Sequence, residues 1–207
     1  MLSAEELLEV QTRYKTLLRK ISRKDSDIEG LIEYLESTDF FTAPASTQYH
    51  CSFPGGLCLH SLNVFDTMMD MMRDNNNYTE DNIAIVALLH DLNKVNFYEP
   101  SIKNEKVYSK YGTKSDEIGT FDWVSTRTYR VKDAENRMVV GTKGFKSYML
   151  ASMYINLTTE EAVTLANQYS AVDKAPVDDL SNILAKYNLA VYLHSADIIS
   201  TYCIEHD

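Results

Sequence analysis

The sequence predicts an all-α fold, a helical bundle decorated by one small β-hairpin. Three observations carry that expectation. Apolar residues recur at helical spacing through most of the 207 residues. Chain breakers are few, with 7 Gly and 4 Pro, and they cluster instead of punctuating short strands. Only residues 98–145 depart from helical periodicity, toward Thr, Val and Tyr in alternation.

The elements follow in order. Residues 3–24 carry Leu7, Leu8, Val10, Tyr14, Leu17, Leu18 and Ile21 among alternating charges, an amphipathic helix whose charged side is a solvated face. Ser3 followed by Glu6 forms a capping-box signature. A second helix, 25–37, presents Ile28, Leu31, Ile32 and Leu35. "FFTAPASTQYHCSFPGG" (40–56) reads as a loop, because two prolines and two glycines interrupt it. From Leu57 the stripe Leu57, His60/Ser61, Val64, Met68 predicts a third helix, with the Met-rich 67–74 segment as core packing. A fourth helix, 80–95, carries Ile83, Val86, Ala87 and His90 and ends in "HDLNKV". "FDWVSTRTYRVKDAENRMVVG" predicts a hairpin turning at "DAEN". Arg127 and Arg130 fall on opposite faces of its first strand by parity. Helices resume over 144–155, 158–170 (Thr158 as cap, Glu161 at the third position) and 178–204, with a break near Asn188. This is one domain over 1–207: N-terminal helices to 37, a core over 38–98, the hairpin insertion over 99–143, and C-terminal helices over 144–207.

Bulk properties limit the function. The net charge of −10 weighs against an extended nucleic-acid-binding surface, although a bound cation can reverse the field locally for a small anionic substrate. No apolar run reaches the roughly 18–20 residues of a membrane span, and "MLSAEELLEV" lacks the basic and apolar regions of a signal peptide. Cys51, Cys58 and Cys203 are odd in number and without CxxC spacing, as suits free thiols. A cytoplasmic protein without membrane partners is therefore expected, with a homo-oligomer compatible with the sequence.

His60, the pair His90-Asp91 and Asp197 each sit on a stripe that should face the core. An isolated carboxylate there costs several kcal/mol. Two histidines and two acids converging on one point are satisfied together by a divalent cation. Mixed imidazole and carboxylate donors suit Mn, Fe, Co, Ni or Zn better than Ca. His90 and Asp91 diverge by about 100° within a regular helix, so both can ligate only at an irregular helix end.

"GGLCLHSLNV", "ALLHDLNKVNFY" and "HSADIIS" together resemble the H…HD…D signature of the HD-domain metal-dependent phosphohydrolases. "APASTQYHCSFPGGLCLHSLNV" and "HDLNKVNFYEPSIKN" resemble the branch common in phages and prophages of low-GC bacteria, over residues 38–105. The resemblance implies an HD-domain bundle. His60, His90, Asp91 and Asp197 would be its metal ligands, with Mg also admissible as the ion. Asp91 would be catalytic, holding the attacking water or bridging to a second metal, and Lys94 would contact substrate phosphate. A phage-encoded member would work in the host cytoplasm. Relatives in this branch usually carry further histidines in "GHGEKS"-like and "WHMG"-like segments. Here "GTKGFKS" (141–147) and "NQYSA" (167–171) place Thr142 or Lys143 and Tyr169 near those positions.

Other candidates keep two readings. His50 is either a pocket group facing substrate or a loop-packing residue, and Lys143 and Lys146 either cover substrate phosphates or are surface lysines. His194 shares the Asp197 face as a supporting or surface residue, and His206 is expected to be exposed. The expected activity is hydrolysis of a phosphoester in a nucleotide, or in a cyclic or short oligonucleotide. The alternatives are a degenerate relative that sequesters a nucleotide signal, as in phage counter-defence, and a helical protein whose polar residues only pair with one another.

Overall fold

The computed structural model describes residues 2–168 and 180–205. Eight α-helices among these residues are α1 (Ala4–Lys20), α2 (Ile28–Glu36), α3 (Gly56–Met71), α4 (Glu80–Leu89), α5 (Lys143–Ser152), α6 (Thr159–Asn167), α7 (Leu180–Lys186) and α8 (Asn188–Ile199). Three strands, β1 (Tyr98–Tyr108), β2 (Lys114–Ser115) and β3 (Thr120–Val131), form an antiparallel sheet in the order β1-β3-β2.

The all-α expectation is therefore corrected to a mixed α/β fold, because β1 and β3 are long paired strands of 11 and 12 residues. The predicted hairpin also had the wrong partner. β3 pairs with β1, from Tyr98↔Val131 to Tyr108↔Phe121, and not with the residues beyond "DAEN". The cause is chemical. "YEPSIKNEKVY" is too polar for a buried-strand pattern and contains Pro100, which a sheet tolerates at an edge such as this one. "DAEN" closes only a short 3-10 turn, Ala134–Asn136.

Helix α4 organises the bundle. Every residue from Ile83 to Leu89 is buried, as expected of a helix that is apolar all round. Helices α1, α3, α6 and α8 pack against it. Its C-terminal end therefore delivers the next residues, His90 and Asp91, into the middle of the protein. Tyr14 on α1 is fully buried and donates its hydroxyl to the Leu88 carbonyl at 2.7 Å.

Local signals hold at the helix starts. Ser3–Glu6 and Thr158–Glu161 are both capping boxes, each satisfying two otherwise orphaned amide donors. Glu161 does more than cap. Its carboxylate, fully shielded from solvent, also accepts from Arg23 Nη2 at 2.7 Å and Asn82 Nδ2 at 2.8 Å, joining α6 to the α1–α2 connection and to α4. Glu161→Ala strands a half-buried guanidinium, and an expected cost of about 3 kcal/mol should appear in urea unfolding. A cost below about 1 kcal/mol, the range of an exposed pair, would show that this junction contributes little. The expected break near Asn188 is present: Tyr187 separates α7 from α8.

Candidate metal centre

Four segments carry the predicted groups to one point. His60 lies in the second turn of α3 and is 1 % exposed. The start of that helix is set by Gly55, whose φ of +84° favours glycine. Gly56 follows; a Cβ there would collide with the Cys51 carbonyl. The loop before α3 thus lies directly against its first turn, and the His50 ring packs on the His60 ring, centroids 4.8 Å apart.

His90 ends α4 in helical conformation, whereas Asp91 leaves it at φ −98°, ψ 17° to open the 3-10 turn Leu92–Lys94. This irregular end lets two adjacent side chains face one site. Asp197 comes from the last turn of α8.

The ring orientations are fixed from behind. His90 Nδ1 donates to the Ala87 carbonyl at 2.7 Å. His60 Nδ1 lies 3.0 Å from both oxygens of the Glu205 carboxylate, which Asn63 also anchors at 2.8 Å. With both Nδ1 atoms engaged by acceptors, the two Nε2 atoms point at each other across 3.3 Å. That position calls for a positive centre between the rings, either a proton on His60 Nε2 or a metal ion in its place. Asp197 Oδ1 is 3.2 Å from His60 Nε2, and Asp91 Oδ2 is 3.6 Å and 3.5 Å from the His60 and His90 Nε2 atoms. Donors sharing one ion at about 2.0–2.2 Å lie roughly 3.0–3.6 Å apart, so His60, His90 and Asp91 together could hold a divalent cation, while Asp197 stands against His60 alone. Charge agrees: with neutral imidazoles, the Asp91, Asp197 and Glu205 carboxylates against the single Lys94 ammonium leave −2.

The electrostatics follow from this crowding. Burial opposes charge on His60, but hydrogen bonds to Asp197 and Glu205 hold its pKa up at about 9. Burial pushes His90 down, so the two rings divide into a proton holder and a neutral base. Burial favours a neutral Asp197, yet the His60 ring brings it to about 2. Burial likewise opposes ionised Asp91, and Lys94, His90 and His60 outweigh it and hold the carboxyl well below its usual range.

Lys94 sits one turn beyond Asp91, with Nζ 2.6 Å from Asp91 Oδ2. His50, lowered to about 4 by burial and by its cationic neighbours, forms a second close group with His60 and Glu205. Lys146 is elsewhere. Its buried Nζ donates to the Asn93 carbonyl at 2.8 Å and reaches the Val95 carbonyl at 3.5 Å, bracing the turn that carries Asp91 and Lys94. Thr142 caps α5 through the Phe145 amide, His194 is half-buried away from the Nε2 cluster, and Tyr169 and His206 lie outside the described residues.

Sequence reasoning missed Glu205 and Tyr98. Glu205 follows a π-helical turn, Ser200–Ile204, and its amide bonds back to the Ser200 carbonyl at 2.9 Å. Residues eight apart in an α-helix diverge by roughly 80°. The wider π turn absorbs that difference and returns Glu205 to the face of Asp197. No local motif signals this. Tyr98 opens β1 close enough to Lys94 and Asp91 for its pKa to respond to both charges, although burial is the main cause of its upward shift.

Fold and site together define a class: a helical bundle with a sheet inserted after a buried group of His60, His90 and Asp91, with Asp197 at its half-buried rim. Comparison of the chain with family models, curated proteins and solved structures finds no match in any of the three. No described helix is long and apolar enough to cross a membrane.

Proposed function

We propose that this chain is a metal-dependent phosphohydrolase of the HD type, cleaving a phosphoester of a nucleotide or short oligonucleotide. The observation that carries the reading is the pair of facing Nε2 atoms, 3.3 Å apart, flanked by Asp91 and Asp197. The resemblance of the H…HD…D order to that superfamily supports it.

A divalent cation held by His60, His90, Asp91 and Asp197 would supply Lewis acidity at a phosphoryl oxygen and lower the pKa of water. The chain's own groups do the rest. Lys94, bonded to Asp91 at the edge of the cluster, offers its ammonium to a substrate phosphate. Ionised Asp91 can orient a water by accepting its hydrogen bond, and Glu205 holds His60 in the tautomer whose Nε2 faces inward. His50, packed on His60, closes the pocket side formed by the 40–55 loop.

A second reading, nucleotide binding without turnover, is favoured by the position of Thr142. Where relatives carry a second-metal histidine, its side chain is used as a helix cap. Protein loaded with Mn, Co, Zn or Mg and supplied with a mixed nucleotide and dinucleotide panel decides between them. Release of phosphate or of a shortened nucleotide, lost in the Lys94→Ala variant, is expected. Tight binding with the ligand recovered intact would establish the second reading instead.

A further inference from the structure

We infer that one face of the β1–β3 ribbon is a binding track for a single-stranded oligonucleotide leading to the metal centre. This deepens the proposed function and rests on it only for the fate of the bound strand.

The pairing register sorts the side chains. Residues opposite each other in an antiparallel pair share a face. One face therefore holds every aromatic residue of the two strands: Tyr98, Tyr108, Phe121, Trp123 and Tyr129; Phe121 is buried, and the other four rings reach solvent. It also holds Lys106 and Arg127. All three strand carboxylates, Glu99, Glu105 and Asp122, fall on the opposite face. There Lys103 pairs with Glu105 and Arg130 with Glu99, while Asp122 accepts from Thr113, so that face keeps one net negative charge. On the aromatic face Arg127 makes no ion pair among the described residues. Lys106 lies 4.4 Å above the Phe121 ring and 5.8 Å from that of Trp123. Asp116 also reaches this side and accepts from Lys106 at 2.6 Å and from Tyr108 at 2.9 Å, which leaves Arg127 as the cation most open to a phosphate.

Such aromatic and cationic interleaving on a narrow strip is the chemistry of single-strand recognition: bases stack on rings while cations follow the phosphates. Trp123 is 50 % exposed and Ile102 is 68 % exposed, although a solvated ribbon gains nothing from showing them. The track is continuous with the centre. Tyr98, at its inner end, follows the turn that carries Asp91 and Lys94, and the Phe97 amide before it donates to the Lys94 carbonyl at 3.2 Å. Beside it Thr128 Oγ1 and the Tyr129 amide both donate to the Thr47 carbonyl, in the loop that carries His50. A second copy of the chain is the poorer occupant, since two such faces bring Lys106 and Arg127 against their own kind with no free acid to answer them.

Trp123 is the only tryptophan in the chain, which makes the track directly observable. Full-length protein in EDTA and low salt is titrated with single-stranded DNA and RNA of about twelve nucleotides, following Trp123 emission and the anisotropy of labelled strands. Saturable quenching is expected from single strands, but not from the duplex of the same sequence. Trp123→Ala and Arg127→Glu should each weaken the anisotropy-measured affinity by about tenfold. Thr126→Ala, on the opposite face, should leave it unchanged. No response to any single strand, an equal response to duplex, or an equal loss in Thr126→Ala would overturn the proposal. So would quenching that depends on protein concentration alone, which would assign the face to self-association. Because binding is read without metal, failure here leaves nucleotide hydrolysis standing, and failure of hydrolysis leaves strand binding standing.

Discussion

Asp91→Asn is expected to abolish metal retention and to lower the melting temperature by about 10 °C. Two effects combine. Asp91 is fully buried and its Oδ2 lies within 4 Å of both Nε2 atoms, so its loss removes a negative ligand from the centre. It also answers the Lys94 ammonium at 2.6 Å, a group only 12 % exposed. Breaking a buried ion pair from one side costs about 3 kcal/mol or more, and each kcal/mol shifts the midpoint of a chain this size by roughly 2–4 °C. The paired variant Asp91→Asn, Lys94→Met separates the effects, because removing both charges recovers most of the stability and none of the metal. An Asp91→Asn protein that kept its metal at unchanged affinity would exclude Asp91 as a ligand.

Glu205→Gln is expected to weaken metal affinity by about 10–100-fold, the usual effect of losing the carboxylate behind a ligating histidine. The glutamine keeps the shape and can still accept from Asn63. What it loses is the negative charge on His60 Nδ1, which fixes the tautomer and raises the basicity of Nε2. Equilibrium metal titration beside thermal unfolding distinguishes this from packing. A variant less stable than the parent but equal in metal affinity would show that Glu205 only fills space.

The parts of this site legible in the sequence are those written in local periodicity. The stripes through Leu57, His60 and Val64, and through Val86, Ala87 and His90, each point one polar group inward, and the structure brings these groups together. The requirement that His90 and Asp91 sit at an irregular helix end is met by the 3-10 turn after α4. Capping boxes at Ser3 and Thr158 and the break at Tyr187 were equally readable, since each depends on a few adjacent residues. What was not legible depends on distant partners. Strand β1 has four charged residues among its eleven and contains a proline, so only its pairing with β3 makes it a strand. That pairing moves the fold from all-α to α/β. Lys146 gave no sign that its ammonium serves two backbone carbonyls instead of solvent or ligand. Glu205 reaches His60 through a π turn, which has no sequence signature of its own.

The central claim is that the facing imidazoles and the acids beside them form a metal centre. The direct measurement is the metal content of the unmodified protein, determined by elemental analysis after purification without added metal and again after equilibration with Mn, Co or Zn and dialysis. The account predicts at least one firmly held divalent ion per chain, lost in the His60→Ala, His90→Ala variant. A chain that holds no ion under either condition, and whose melting temperature does not move with Mn, Co or Zn, would contradict it. His60, Asp91, Lys94 and Asp197 would then be a buried ion-pair network and nothing more.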